Sequence, residues 1–125
     1  MEMKVELDSK IIFIKMTGSL IAGIVEQVRS QIQKLIEKKY VFIVFDLSKV
    51  DFIDSSGLGL CITTSRELAS YSGMLVCFGL QDNVQKLFSM TRADQKIKVM
   101  DSRPDAFDFL YSLINEPQEG ALILH

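Results

Sequence analysis

The chain has 125 residues, with 48% hydrophobic and 24% charged side chains, the size and balance of one globular domain. Its formal net charge is −2, from 14 Lys+Arg against 16 Asp+Glu, so it lacks the basic footprint of a nucleic-acid binder. With 7 Gly and 2 Pro it is neither collagen-like nor a Pro-rich linker.

In chain order, Val5-Glu6-Leu7 and Ile11–Met16 flank Asp8-Ser9-Lys10, which predicts a β-hairpin, and Gly18 punctuates the end of the second strand. From Gly23 to Lys39 the apolar residues Ile24, Val25, Val28, Ile32, Leu35 and Ile36 recur at the period of an amphipathic helix. Tyr40–Phe45 is apolar throughout, which suits a central strand covered on both faces. Asp46–Asp54 reads as the connection to a second helix. That helix carries the stripe Leu58, Cys61, Ile62, Leu68 and Ala69 to about Ser72, and Gly73 is placed to end it in a left-handed conformation. Met74–Phe78 is the next strand.

Asp82 with Gln85 makes a capping-box pattern ahead of Val84, Leu87 and Phe88. Ile97–Met100 is a short last strand. Ser102, Pro104 and Asp105 announce a final helix with Phe107, Leu110, Leu113 and Ile114 inward. Strands alternating with helices predict an α/β domain over residues 1–115, with a mixed, mostly parallel sheet of four to five strands, about four helices and an opening hairpin. Residues 116–125 read as a C-terminal tail whose apolar Ala121–Leu124 packs on the fold, docks on a second copy or stays disordered.

The chemistry of the chain is read partly from what is scarce. Cys61 and Cys77 lie in apolar stretches outside any C-x-x-C pair, as buried reduced thiols do. An acidic N-terminus and the lack of an apolar run of ~20 residues point to a cytoplasmic protein with no membrane segment. The one histidine is His125, so triads and His-based acid–base catalysis lose their central residue. No phosphate-cradling glycine motif is present, and Asp51 with Asp54 is a weak metal pair. The expectation is a non-enzyme with no cofactor and no metal, a monomer or weak dimer.

The segment Val50–Leu60 lies where an open α/β sheet presents functional groups, outside the carboxyl end of a parallel strand. Asp54, Ser55 or Ser56 can N-cap the helix that follows. The same geometry also exposes a hydroxyl beside unpaired N–H groups, with Gly57 and Gly59 leaving the surface open. Each glycine costs ~1 kcal/mol of helix propensity against Ala, which implies close approach of another backbone, from the fold or from a partner.

Phe52-Ile53-Asp54-Ser55-Ser56-Gly57-Leu58-Gly59 resembles the signature of the STAS family, typified by bacterial anti-sigma factor antagonists. The resemblance spans roughly residues 4–115 and rests most on the Asp-Ser-Ser-Gly stretch in its strand-to-helix context. It implies that Ser55 is the phosphorylated serine and that Asp54, Ser55, Ser56, Gly57, Leu58 and Gly59 meet the partner. It also implies the partners: an anti-sigma factor serine kinase, bound by the unphosphorylated form so that the sigma factor is freed, and a metal-dependent serine phosphatase that reverses the mark. Where family members often carry aspartate after the second strand, this chain has Ile21, which alters a contact expected of kinase docking. Two other readings keep the same fold: a constitutive scaffold in a stress-signalling assembly or transporter, and a nucleotide-binding module.

Overall fold

A computed structural model describes residues 1–115; the predicted tail, Ala121–Leu124 and His125 included, lies outside the described residues. Strand β1 (Glu2–Asp8) turns into β2 (Ile11–Leu20), followed by α1 (Ala22–Glu37), β3 (Phe42–Ile53), α2 (Ser55–Ser70), β4 (Met74–Phe78), α3 (Asp82–Met90), β5 (Lys98–Met100) and α4 (Arg103–Asn115). The sheet runs β1-β2-β3-β4-β5 in sequence order, β1 antiparallel to β2 and the other pairs parallel. The predicted α/β architecture and its opening hairpin are therefore present. The hairpin turn is Ser9-Lys10, both at positive φ (53° and 72°), the twist that a two-residue connection demands.

Helices α1, α2 and α3 cover one face of the sheet. Val25, Val28, Ile32, Leu60, Leu68, Val84 and Phe88 pack there on Ile12, Ile14, Ile43, Phe45, Leu75 and Cys77. Among the described residues helix α4 alone covers the other face, setting Ala106 and Leu110 on Ile11, Phe13, Val44 and Val76. Adjacent residues of β2 and β3 thus face opposite cores, which is why those strands are apolar at consecutive positions. Arg103 ties α4 to the hairpin: its guanidinium lies 4.0 Å over the Phe13 ring and donates to Glu6 Oε2 at 3.0 Å. Cys61 and Cys77 are free and buried, and the hydrogen bond with Cys61 together with burial pushes the Cys77 thiol well above its ordinary range.

Several predicted details differ. Asp46–Asp54 is not a loop, because β3 continues to Ile53 against β2, which itself continues past Gly18 (φ +116°) to Leu20. Gly73 does not supply the left-handed residue after α2; Ser72 does (φ 63°), and Gly73 is glycine because a Cβ there would run into the Val41 carbonyl oxygen. Asp82 is inside α3, whose N-cap is Gln81 with no side-chain cap, so no capping box forms. Leu113 faces outward and is 42% exposed. At α4 the predicted start is present, with Asp105 N–H donating to Ser102 Oγ at 3.3 Å.

Candidate functional site

The site sits at the end of a two-stranded ribbon. β4 stops pairing with β3 at Asp46–Phe78, yet β3 stays on β2 as far as Leu20–Ile53. Along the ribbon β2 advances from Lys15 to Thr17 while β3 advances from Asp46 to Lys49, and again from Gly18 to Ser19 against Val50 to Phe52. Each step is a bulge in β3. Together they space the inward residues Leu47, Val50 and Ile53 three apart and turn Phe52 outward, 50% exposed.

The carbonyls that β4 no longer serves find side-chain donors. Gln81 Nε2 donates to Ser48 O at 3.1 Å and Asn83 Nδ2 to Asp51 O at 2.7 Å, so the start of α3 substitutes for the missing strand. Ser19 Oγ donates to Asp51 Oδ1 at 2.9 Å and fastens the ribbon from the β2 side. Asp51 and Asp54 therefore serve separate partners. Among the described residues no group of three or more metal-ligating side chains comes together.

Asp54 holds the two helices that begin here. Its Oδ1 accepts from Gly57 N at 2.9 Å, the N-cap bond of α2. Its Oδ2 accepts from Ala22 N at 3.1 Å, the first N–H of α1. Ile21, the N-cap of α1, has no side-chain cap of its own, so the carboxylate across the ribbon takes that role. The choice of cap left open by the sequence falls on Asp54, and Ser55 and Ser56 are free of it. Both serines are exposed, and among the described residues no side-chain hydrogen bond holds the Ser55 hydroxyl.

The hydrogen bond from Gly57 N–H, aided by that from Ala22, holds the Asp54 carboxyl below its ordinary value. A depressed folded value adds stability that is present above about pH 4 and is lost as pH falls through the folded value. Asp54→Asn keeps an acceptor and removes the charge. Its melting temperature should fall by about 3–6 °C at neutral pH, with the gap to wild type closing below about pH 4. A gap that stays constant in melts down to about pH 3 would show that the charge plays no part.

The two glycines divide. Gly57 is buried and faces inward: a Cβ there would meet the Leu20 carbonyl, which also accepts from Asp54 N at 3.3 Å. Its closely approaching backbone is the fold's own, so Gly57 does not leave the surface open. At Gly59 a Cβ would have nothing within 4 Å, and the position opens on solvent. Leu58 is 8% exposed and belongs to the core. Of the six residues singled out, Ser55 and Ser56 are exposed, Asp54 and Gly59 are half-buried, and Gly57 and Leu58 are buried.

Two further residues join the exposed surface, Phe52, which the sequence did not single out as a contact, and Ile21, which it marked as an altered docking contact. Phe52 and Ile21, 50% and 37% exposed, follow from neighbouring strand ends and give it an apolar rim. An aromatic directly after the stretch Ser48–Asp51, whose only inward apolar residue is Val50, was the available signal for Phe52. Beside it, a cleft of about 400 Å³ runs between α1 and α2, lined by Ala22, Glu26, Arg29, Ser56, Gly59 and Thr63. Among the described residues no helix is long and apolar enough to cross a membrane.

Known proteins resemble this chain in sequence and fold. An anti-sigma-B factor antagonist of Listeria monocytogenes is 29% identical over 94 residues, which cover 75% of this chain and 82% of that protein. The solved structure of the anti-sigma factor antagonist SpoIIAA in its unphosphorylated form superposes with a TM-score of 0.72 at 25% identity, over 88% of this chain and 98% of that one. The Bacillus cell fate determinant SpoIIAA in its phosphorylated form gives a TM-score of 0.68 at 24% identity, over 86% and 97% of the two chains. Residues 2–106 match the STAS domain, nearly all of the described fold from hairpin to α4, and the chain belongs to that family.

Proposed function

We propose that the chain is an anti-sigma factor antagonist that works as a phosphorylation switch. With Ser55 unmodified it binds an anti-sigma factor serine kinase and frees the sigma factor. Phosphorylation of Ser55 by that kinase releases it, and a metal-dependent serine phosphatase resets it. The observation that carries this reading is the exposed, untethered Ser55 hydroxyl in the first turn of α2, next to a cap that Asp54 already provides. The Listeria relative is named for sigma-factor antagonism, and SpoIIAA has been solved with and without phosphate.

Physical chemistry puts the effect of the mark on the partner. A phosphate adds about −1.5 to −2 charges, which the positive end of α2 favours and the adjacent Asp54 opposes. Neither α1 nor α2 has an acidic residue in its first turn, so Asp54 is the one opposing carboxylate in the first turns of those helices and their caps. The fold tolerates the group. A kinase surface fitted to a neutral hydroxyl, small Ser56, open Gly59 and apolar Phe52 does not.

Incubation with the cognate kinase and Mg-ATP should put phosphate on Ser55, read by peptide mass analysis. Ser55→Asp should weaken kinase binding by about a hundredfold or more in calorimetry. No phosphate on Ser55 sinks the switch. Exposed Ile21, where the family often has aspartate, favours a second reading as a constitutive scaffold. Kinase or partner binding unchanged by Ser55→Asp would select it.

A further inference from the structure

The two edges of the sheet are unlike. β5 is three residues long, the short edge that discourages further pairing. β1 runs unbroken against β2 from Glu2–Thr17 to Asp8–Ile11, with no bulge and no proline. Its apolar Val5 and Leu7 are 44% and 54% exposed, on the three-helix side of the sheet but at a margin that no element among the described residues covers. Such an edge is a template for another strand.

The hairpin fixes which groups that edge offers. In a two-residue hairpin the closing pair, Asp8–Ile11, exchanges both backbone hydrogen bonds, and the bonded pairs then alternate. Asp8, Glu6, Lys4 and Glu2 therefore spend their backbone groups on β2. The N–H and C=O of Met3, Val5 and Leu7 point away from the sheet.

We propose that β1 docks on β1 of a second copy, antiparallel about a twofold axis at Val5, joining two sheets into one. In this register Val5 bonds to Val5 of the second copy, and Met3 to its Leu7, so every outward backbone group in the strand centre is served. The same pairs bring the exposed apolar side chains together on one face. On the other face Lys4 lies opposite Glu6 of the second copy, and Glu6 opposite its Lys4, in the non-hydrogen-bonded positions where side chains are closest. Sliding by one pair either way sets Lys4 on Lys4 or Glu6 on Glu6. Charge complementarity thus selects the register that the backbone also prefers. Glu2 against Asp8 at each end is the opposing contact, and it keeps the association weak and reversible.

Sedimentation over a concentration series from about 1 µM to about 1 mM tests this. The average mass should climb from 14.1 kDa toward its double. Lys4→Glu and Glu6→Lys, each alone, should raise the dissociation constant about tenfold or more, since each makes two cross-strand pairs repulsive. An equimolar mixture of the two variants restores opposite charges at both positions and should associate at least as well as wild type. Glu6→Lys loses its Arg103 partner, so circular dichroism and melting curves accompany each variant, and Val5→Lys, at an exposed site, supplies a second disruption. A chain that stays monomeric throughout, or charge variants that associate like wild type, or a mixture that does not recover, overturns the proposal. The first outcome leaves the edge to a strand from another protein.

Discussion

Gly57→Ala is expected to cost ~3 kcal/mol or more, while Gly59→Ala, two residues further along the same helix, should stabilise by ~0.5–1 kcal/mol. The two share residue type and helix, so propensity alone predicts the same modest gain for both. What separates them is the Leu20 carbonyl, which a Cβ at position 57 would run into and which cannot retreat because Asp54 N–H is bonded to it. At position 59 the same methyl enters open space. Urea unfolding of both variants checks this: similar midpoints for the two would mean that α2 does not start against the end of β2.

Phe45→Ala is expected to cost ~3–5 kcal/mol, among the largest single truncations in the domain. Phe45 is fully buried at the middle of the sheet, paired with Ile14 on one side and Cys77 on the other, under the three-helix layer. Ser55→Ala should change stability by less than ~0.5 kcal/mol, because the cap belongs to Asp54 and the serine is exposed to solvent. A melt in which Ser55→Ala is the worse of the two would contradict both assignments. The contrast also matters for the proposed switch, since it means that loss of binding in a Ser55 variant reports on the partner and not on the fold.

The elements were legible wherever one periodicity ruled a whole segment. Val25, Val28, Ile32 and Ile36 mark α1 by helical spacing, and Tyr40–Phe45 marks a doubly covered strand by unbroken apolarity. The remainder of β3 escaped because its two bulges make the inward spacing three, as in Leu47, Val50 and Ile53, which matches neither strand nor helix. Glycine roles were only partly legible. A sequence shows that Gly73 and Gly57 are unusual, but whether the reason is backbone conformation or a neighbouring carbonyl depends on contacts from Val41 and Leu20, far away in the chain. The capping role of Asp54 was within reach of the sequence because its bond to Gly57 spans only three residues. The second bond of Asp54, to Ala22, joins residues 32 apart and has no local signature.

That long-range bond has a consequence for how relatives with different partners can arise. The residues that hold the two helix starts together are the buried Leu20 and Gly57 and the half-buried Asp54, whereas Ile21, Phe52, Ser55 and Ser56 are exposed and a side chain at Gly59 would meet open space. Selection can therefore rewrite the outward set, exchanging an aspartate for Ile21 or enlarging Gly59, without disturbing the inward one. A gene duplicate inherits the joined helix starts and needs only new surface chemistry to meet a different partner.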